Sequence, residues 1–134
     1  MWSTEAPTPI IIYITPQPFV TPAVVKGSCD ALVPLYDALL AIDSRLSVGM
    51  PFAEYSTAVG DAAVEFGSLD AASLSVDCLE KANHLGDALM AYSDANERWD
   101  RCLFEQRRCT NDDIIDELRE WWTTATEAII AADM

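Results

Sequence analysis

The residues best suited to chemistry in this sequence are one histidine, four cysteines and a dense run of acidic residues near the C-terminus. His84 lacks the partners that a metal or haem needs. Helix-borne di-iron sites require two Glu-x-x-His motifs, and Glu80 stands at the wrong spacing. Zinc-ligand spacings and the Cys-x-x-Cys-His haem motif are also absent. We therefore expect no cofactor and no metal site, with His84 on the solvent side of its helix.

The acidic run offers carboxylates but no catalytic arrangement. In a chain with 22 acidic residues, adjacent carboxylates are expected by chance. No Gly-rich phosphate loop and no Gly-x-Ser-x-Gly nucleophile motif occurs. We predict no catalytic residue and a chain that is not an enzyme; an enzyme of unknown type stays as a third alternative. The run consists of Asp112, Asp113, Asp116, Glu117 and Glu120.

The elements that position these residues are predicted from apolar spacing. From residue 28 onward apolar residues recur at alternating steps of three and four, which is typical of helices packed at shallow angles. These positions form an apolar seam that is predicted to face the core, and they include Leu35, Leu39, Ile42, Phe52, Phe66, Trp99, Leu103 and Trp122. Gly49, Gly67 and Thr110 or Asn111 mark helix ends, and Pro34 places the start of the first helix near itself. Short connections make neighbouring helices antiparallel. The fold class is therefore all-α, an up-down-up-down four-helix bundle with helices at about 31–47, 51–67, 74–106 and 111–132.

The cysteines are consistent with one pairing in this bundle. Cys78 and Cys102 share a predicted helix and lie about 36 Å apart along it, so they cannot bond. Bonding Cys29 to Cys102 would span the length of the bundle. Only Cys29–Cys78 with Cys102–Cys109 remains, and it requires the third helix to end between Cys102 and Cys109. Two disulfides indicate an oxidising compartment; the alternative is four reduced thiols in a cytosolic protein.

The first 27 residues differ in character from the rest. Five of the seven prolines lie before residue 23, which predicts an extended Thr/Pro-rich linker or tether over 1–27 and a domain over 28–134. The apolar stretch 10–14 is too short to span a bilayer. We hypothesise that a signal or lipoprotein leader preceded Met1. Together with the disulfides, the tether predicts an extracytoplasmic location, secreted or anchored to the cell envelope.

The charge balance argues against two classes of partner. Acidic residues outnumber basic ones by 22 to 8, giving a net charge of −14. Nucleic-acid binding and anionic lipid surfaces both require clustered Lys and Arg. We expect no nucleic-acid partner and no direct membrane insertion, and an acidic surface that keeps molecules apart in solution.

Basic and aromatic residues nevertheless gather at one end of the predicted third helix. Arginine with aromatic residues is the composition of interface hot spots. The alternative is that these arginines pair with Glu105, Asp112 and Asp113. The proposed interaction tip comprises Arg98, Trp99, Arg101, Phe104, Arg107 and Arg108, with Arg119 as a possible neighbour.

Three further residues invite interpretation. Trp122 falls on the apolar seam and is expected in the core, whereas Trp121 lies about 100° round the helix, at the core edge or on a contact surface. Asn96 occupies a seam position, where a buried Asn fixes helix register or anchors a small ligand.

We expect a non-enzymatic protein-interaction module whose partner is another protein. The runner-up is a small-ligand-sensing four-helix bundle, which would need a pocket of several hundred Å³ near Asn96.

Overall fold

The computed structural model describes residues 29–134, and every regular element in that range is helical. The helices are α1 (Val33–Val48), α2 (Phe52–Gly67), α3 (Val76–Phe104) and α4 (Asn111–Ala132). Short 3₁₀ turns precede α1 at Asp30–Leu32 and α3 at Ala71–Ser73. The predicted four-helix bundle is confirmed. The predicted linker over 1–27 lies outside the described residues.

The helix ends follow from local chemistry. Pro34 lies in the first turn of α1, where its missing N–H costs nothing. Gly49 ends α1 with φ of 108°, a backbone conformation that suits glycine. The Ser75 hydroxyl caps α3 by accepting from the Cys78 amide at 3.2 Å. At the start of α4 the Asp113 carboxylate accepts from the Thr110 amide at 2.8 Å.

The core follows the predicted seam, with α3 contacting each of the other three helices and packing most extensively on α4. On α1 the buried positions are Leu35, Leu39 and Ile42. The seam ends earlier than predicted at two places, because Phe66 and Leu103 are each about 40% exposed near the ends of their helices. The fully buried side chains of largest volume include Tyr55, Tyr92, Leu32, Leu85, Ile114 and Leu118.

Both predicted disulfides are present. Cys29 bonds Cys78 with their Cα atoms 5.6 Å apart, and Cys102 bonds Cys109 with theirs 5.2 Å apart. Helix α3 ends at Phe104, between the two cysteines of the second bridge, two residues before the predicted end. Because about 36 Å of helix separates Cys78 from Cys102, the bridges lie at opposite poles of the bundle.

Within residues 29–134 no helix combines the length and the apolar character needed to cross a bilayer.

Candidate interaction tip and aromatic groove

The tip is the end of α3 with the connection to α4, and three devices fix its backbone. The Cys102–Cys109 disulfide closes a loop across seven residues. Inside it, the amides of Glu105 and Gln106 both donate to the carbonyl of Arg101 at 2.9 Å. Arg108 takes a left-handed conformation with φ of 65°, which a non-glycine residue adopts only at some cost. The loop is therefore held in one turn rather than left as an open connection.

Phe104 is the prominent apolar side chain of the tip. It is 71% exposed, yet its ring contacts Phe52 edge to face with centroids 5.9 Å apart. Leu103 beside it is 41% exposed. Phe52 is half-buried at the start of α2, so the α1–α2 turn supports the exposed ring from below. An aromatic ring supported on one side and open on the other presents a fixed apolar surface.

Trp99 does not belong to this surface, contrary to its place among the predicted tip residues. It is 6% exposed, and its ring lies 5.3 Å from that of Phe52, 5.5 Å from Tyr55 and 6.2 Å from Trp122. Its indole Nε1 donates to Asn111 Oδ1 at 3.0 Å. Trp99 is a core residue that fastens α3 to the start of α4 beneath the tip.

The four tip arginines differ in how far their charges are paired. Arg98 is engaged, because its guanidinium donates to Glu117 at 2.9 Å and to Gln106 at 2.8 Å. Within the described residues, the Arg101 guanidinium makes only a long contact of 3.9 Å with the Glu97 carboxylate. Arg107 and Arg108 are exposed and form no ion pair within residues 29–134.

The pairing partners proposed for the arginines are not the ones observed. Glu105 and Asp112 make no ion pair within the described chain, and Asp113 is used in capping α4, where it accepts from both the amide and the hydroxyl of Thr110. The basic and apolar part of the tip surface therefore consists of five exposed side chains: Arg101, Leu103, Phe104, Arg107 and Arg108. Glu105 and Gln106 are exposed beside them.

A polar cluster lies in the core below the tip. The Tyr55 hydroxyl donates to the carbonyl of Tyr92 at 2.6 Å and accepts from Trp122 Nε1 at 3.2 Å. Burial raises the pKa of Tyr55 well above its usual range. Burial, reinforced by the negative charge of Asp43, does the same to the pKa of Tyr92.

Two buried polar atoms in this region have no hydrogen-bond partner among the described residues: the Tyr92 hydroxyl and Asn96 Oδ1. Asn96 is half-buried at its seam position on α3. An unpartnered buried oxygen costs free energy, so Asn96 lowers the stability of the bundle where it stands.

A groove of about 480 Å³ opens beside this cluster, lined by residues of α1, the α1–α2 turn, α3 and α4. We call it the Trp99–Trp122 groove. Its lining includes Asp43, Met50, Trp99, Asn111, Arg119 and Trp122, and it does not include Asn96. Asp43 is half-buried, and its Oδ1 accepts from the Thr126 hydroxyl at 2.7 Å. Trp122, predicted for the core, is half-buried because the groove exposes part of it.

Trp121 and His84 lie away from both features. Trp121 is 38% exposed, so it lies at the edge of the core on the surface of α4. His84 is half-buried and lines an open pocket at the opposite pole, together with Asp77, Glu80 and Asp133. There the Lys81 ammonium donates to the carbonyls of Ala132 at 2.9 Å and Asp133 at 2.7 Å, which caps the end of α4. Within residues 29–134, no three His, Cys, Asp or Glu side chains are grouped to hold a metal ion.

The sequence analysis did not predict the groove or the support that Phe52 gives to the tip. The spacing places Phe52 on the apolar seam, but its contact with Phe104 joins α2 to α3 across 52 residues, and no local pattern predicts such a contact. Asp43 and Thr126 are 83 residues apart, and no local spacing connects them. Comparison with protein-family models, with characterised proteins and with solved structures finds no match for this chain.

Proposed function

We propose that the chain is a non-enzymatic protein-interaction module that acts outside the cytoplasm and binds its partner through the tip. The observation that carries the proposal is the exposure of Phe104, 71% open to solvent while its ring rests on Phe52. An exposed aromatic ring beside arginines is the composition that dominates binding energy at protein interfaces.

The charge of the tip indicates the chemistry of the partner. The chain carries a net charge of −14, yet the segment 98–108 holds four arginines against two acidic residues. Arg107 and Arg108 have no ion pair in the described chain, so they are available to a partner's carboxylates. The partner that fits is a protein with an apolar pocket for Phe104, ringed by acidic residues.

The rigidity of the tip supports the same proposal. A flexible loop loses conformational freedom on binding, and that loss weakens the complex. Here the disulfide, the capped start of α4 and the ring of Phe52 hold the loop before any partner arrives.

The extracytoplasmic location is supported by the two disulfides. Both are formed, and together they tie four of four cysteines. Such bonds persist in oxidising compartments. Alkylation of the chain taken directly from the cells that make it, followed by non-reducing mass spectrometry, tests the location. Four free thiols would overturn it.

The interaction is tested by comparative capture followed by direct titration. Wild-type chain and the variant Phe104→Ala/Arg107→Glu are used to capture proteins from the envelope and secreted fractions. A protein lost with the variant is purified and titrated against both forms. We expect its affinity to fall by about 30-fold or more, the effect of removing a hot spot.

The matched control is Ile130→Ala/Thr123→Glu/Thr124→Glu on α4, which changes the net charge by the same amount. Ile130 is 71% exposed, as Phe104 is, and both threonines are exposed and do not line the groove. Binding that falls equally in both variants, or in neither, would refute the tip as the interface.

A second candidate function, sensing of a small ligand, is favoured by the Trp99–Trp122 groove. Its volume of about 480 Å³ falls in the range of small-molecule sites, and aromatic side chains line it together with a few polar groups.

A further inference from the structure

We propose that the Trp99–Trp122 groove binds a small organic cation, a protonated amine attached to an aromatic or alkyl body. The assignment rests on the second candidate function, ligand binding, and it names the chemical class of the ligand. The groove is separate from the tip surface, because none of Arg101, Leu103, Phe104, Arg107 or Arg108 lines it.

The position of Asp43 provides the counter-charge. Its carboxylate lines the groove and is half-buried, and one of its two oxygens accepts from Thr126. No ion pair to Asp43 forms within residues 29–134. A partly buried carboxylate without a cation gains from one that enters the groove, because nearby opposite charges interact more strongly where water is partly excluded.

The aromatic lining selects the body of the ligand. The rings of Trp99 and Trp122 lie 6.2 Å apart at an angle of 62°, and both line the groove. Indole is the side chain that attracts cations most strongly through its ring face, and it also packs well against apolar groups. Met50 and Leu118 add apolar wall.

Arg119 is the one basic residue among the side chains that line the groove. Its side chain is 69% exposed and reaches toward Asp116 at 3.9 Å, so it stands at the solvent edge rather than on the floor. The net charge of −14 favours the approach of cations over anions. The balance of charges therefore favours an ammonium at Asp43 over a carboxylate at Arg119.

The test is an NMR titration of the full chain with three probes of one shape: phenethylamine, 2-phenylethanol and 3-phenylpropionate. Indole Nε1–H signals report on each tryptophan, and that of Trp121, which does not line the groove, is the internal control. We expect phenethylamine to shift the signals of Trp99 and Trp122 with a Kd in the millimolar range or below. The neutral alcohol and the acid should bind about tenfold more weakly.

Two variants sharpen the assignment. Asp43→Asn removes the charge but keeps an oxygen that accepts from Thr126, and it should weaken phenethylamine binding about tenfold. Glu120→Gln removes the same charge from an exposed site on α4 and should leave the affinity unchanged. Thermal unfolding by circular dichroism shows that each variant is folded.

Failure of the ammonium assignment and failure of ligand binding in the groove give different results. If the alcohol binds as tightly as the amine, or Asp43→Asn binds as wild type does, the ammonium assignment is wrong while ligand binding in the groove stands. If no probe shifts Trp99 or Trp122, both the assignment and the ligand-sensing candidate are refuted.

Discussion

Replacing Tyr55 by Phe tests the idea that the core is held by a specific polar contact and not by apolar packing alone. The ring of Tyr55 is fully buried among Tyr92, Trp99 and Trp122. The substitution keeps that ring and removes one oxygen. With it go two hydrogen bonds, to the Tyr92 carbonyl and from Trp122 Nε1.

The expected loss is about 2 kcal/mol, since each buried hydrogen bond contributes about 1 kcal/mol net. The carbonyl of Tyr92 lies within α3, where helical bonding continues, so its share is at the lower end of that range. Trp122 Nε1 loses its partner, and that orphaned donor carries the larger share. Against a total stability of roughly 5–15 kcal/mol, this is a large change, equivalent to about 8 °C in the unfolding midpoint.

Urea unfolding measured by circular dichroism and by tryptophan fluorescence gives the free energy of unfolding for both forms. The denaturant slope should stay unchanged, because the surface exposed on unfolding is the same. Tyr36→Phe is the matched control, since the half-buried Tyr36 makes no hydrogen bond in the described chain. A loss below about 0.5 kcal/mol for Tyr55→Phe, or an equal loss for Tyr36→Phe, would show that the hydroxyl contributes nothing specific.

Three further predictions concern stability. Because the folded state raises the pKa of both Tyr55 and Tyr92, the unfolded chain releases two protons above pH 10 that the folded chain retains. The contribution of these two tyrosines to the free energy of unfolding should be fully present below pH 10, and above it should fall by about 1.4 kcal/mol per pH unit for each tyrosine. Equal urea midpoints at pH 9 and pH 11 would contradict this prediction. Replacing Cys102 and Cys109 together by Ala should cost about 2.5 kcal/mol through the freed loop, measured by urea unfolding, with helix content unchanged; an unchanged midpoint would argue against it. Asn96→Leu should raise stability by about 1 kcal/mol by removing a buried unpartnered oxygen; lower stability or a changed oligomeric state by light scattering would show instead that Asn96 fixes register.

The helices and the disulfides were predictable because both follow from distances along one chain. Apolar steps of three and four place Leu35, Leu39 and Ile42 on one face of α1, and all three are buried. Seven residues of continuous helix would hold Cys102 and Cys109 too far apart to bond, so α3 had to end between them, as it does at Phe104.

The candidate sites were predicted only in part, because they depend on which faces of different helices meet. The seam spacing already placed Trp99 in the core, whereas composition alone placed it with the tip; the structure agrees with the spacing. Burial depends on what packs opposite a residue, and for Trp99 that is Phe52 on α2 and Asn111 on α4. The groove has no signal in the sequence, since its walls come from α1, α3 and α4 together.

The two bridges fasten both ends of α3, which neither bridge would do alone. The described chain begins at Cys29, which is tied to the start of α3, while the tip stands at the other end of a helix of 29 residues, about 43 Å long. Because α3 packs on the other three helices, Cys29 and the surface proposed for binding lie at opposite ends of one packed body. If a partner binds at Phe104, the contact forms at the pole opposite the Cys29–Cys78 bridge. A cross-link at only one pole would leave the other end of α3 to fray, because the terminal turn of a helix lacks half of its hydrogen bonds. The Cys102–Cys109 bridge restrains this fraying at the end of α3, where the proposed interface lies.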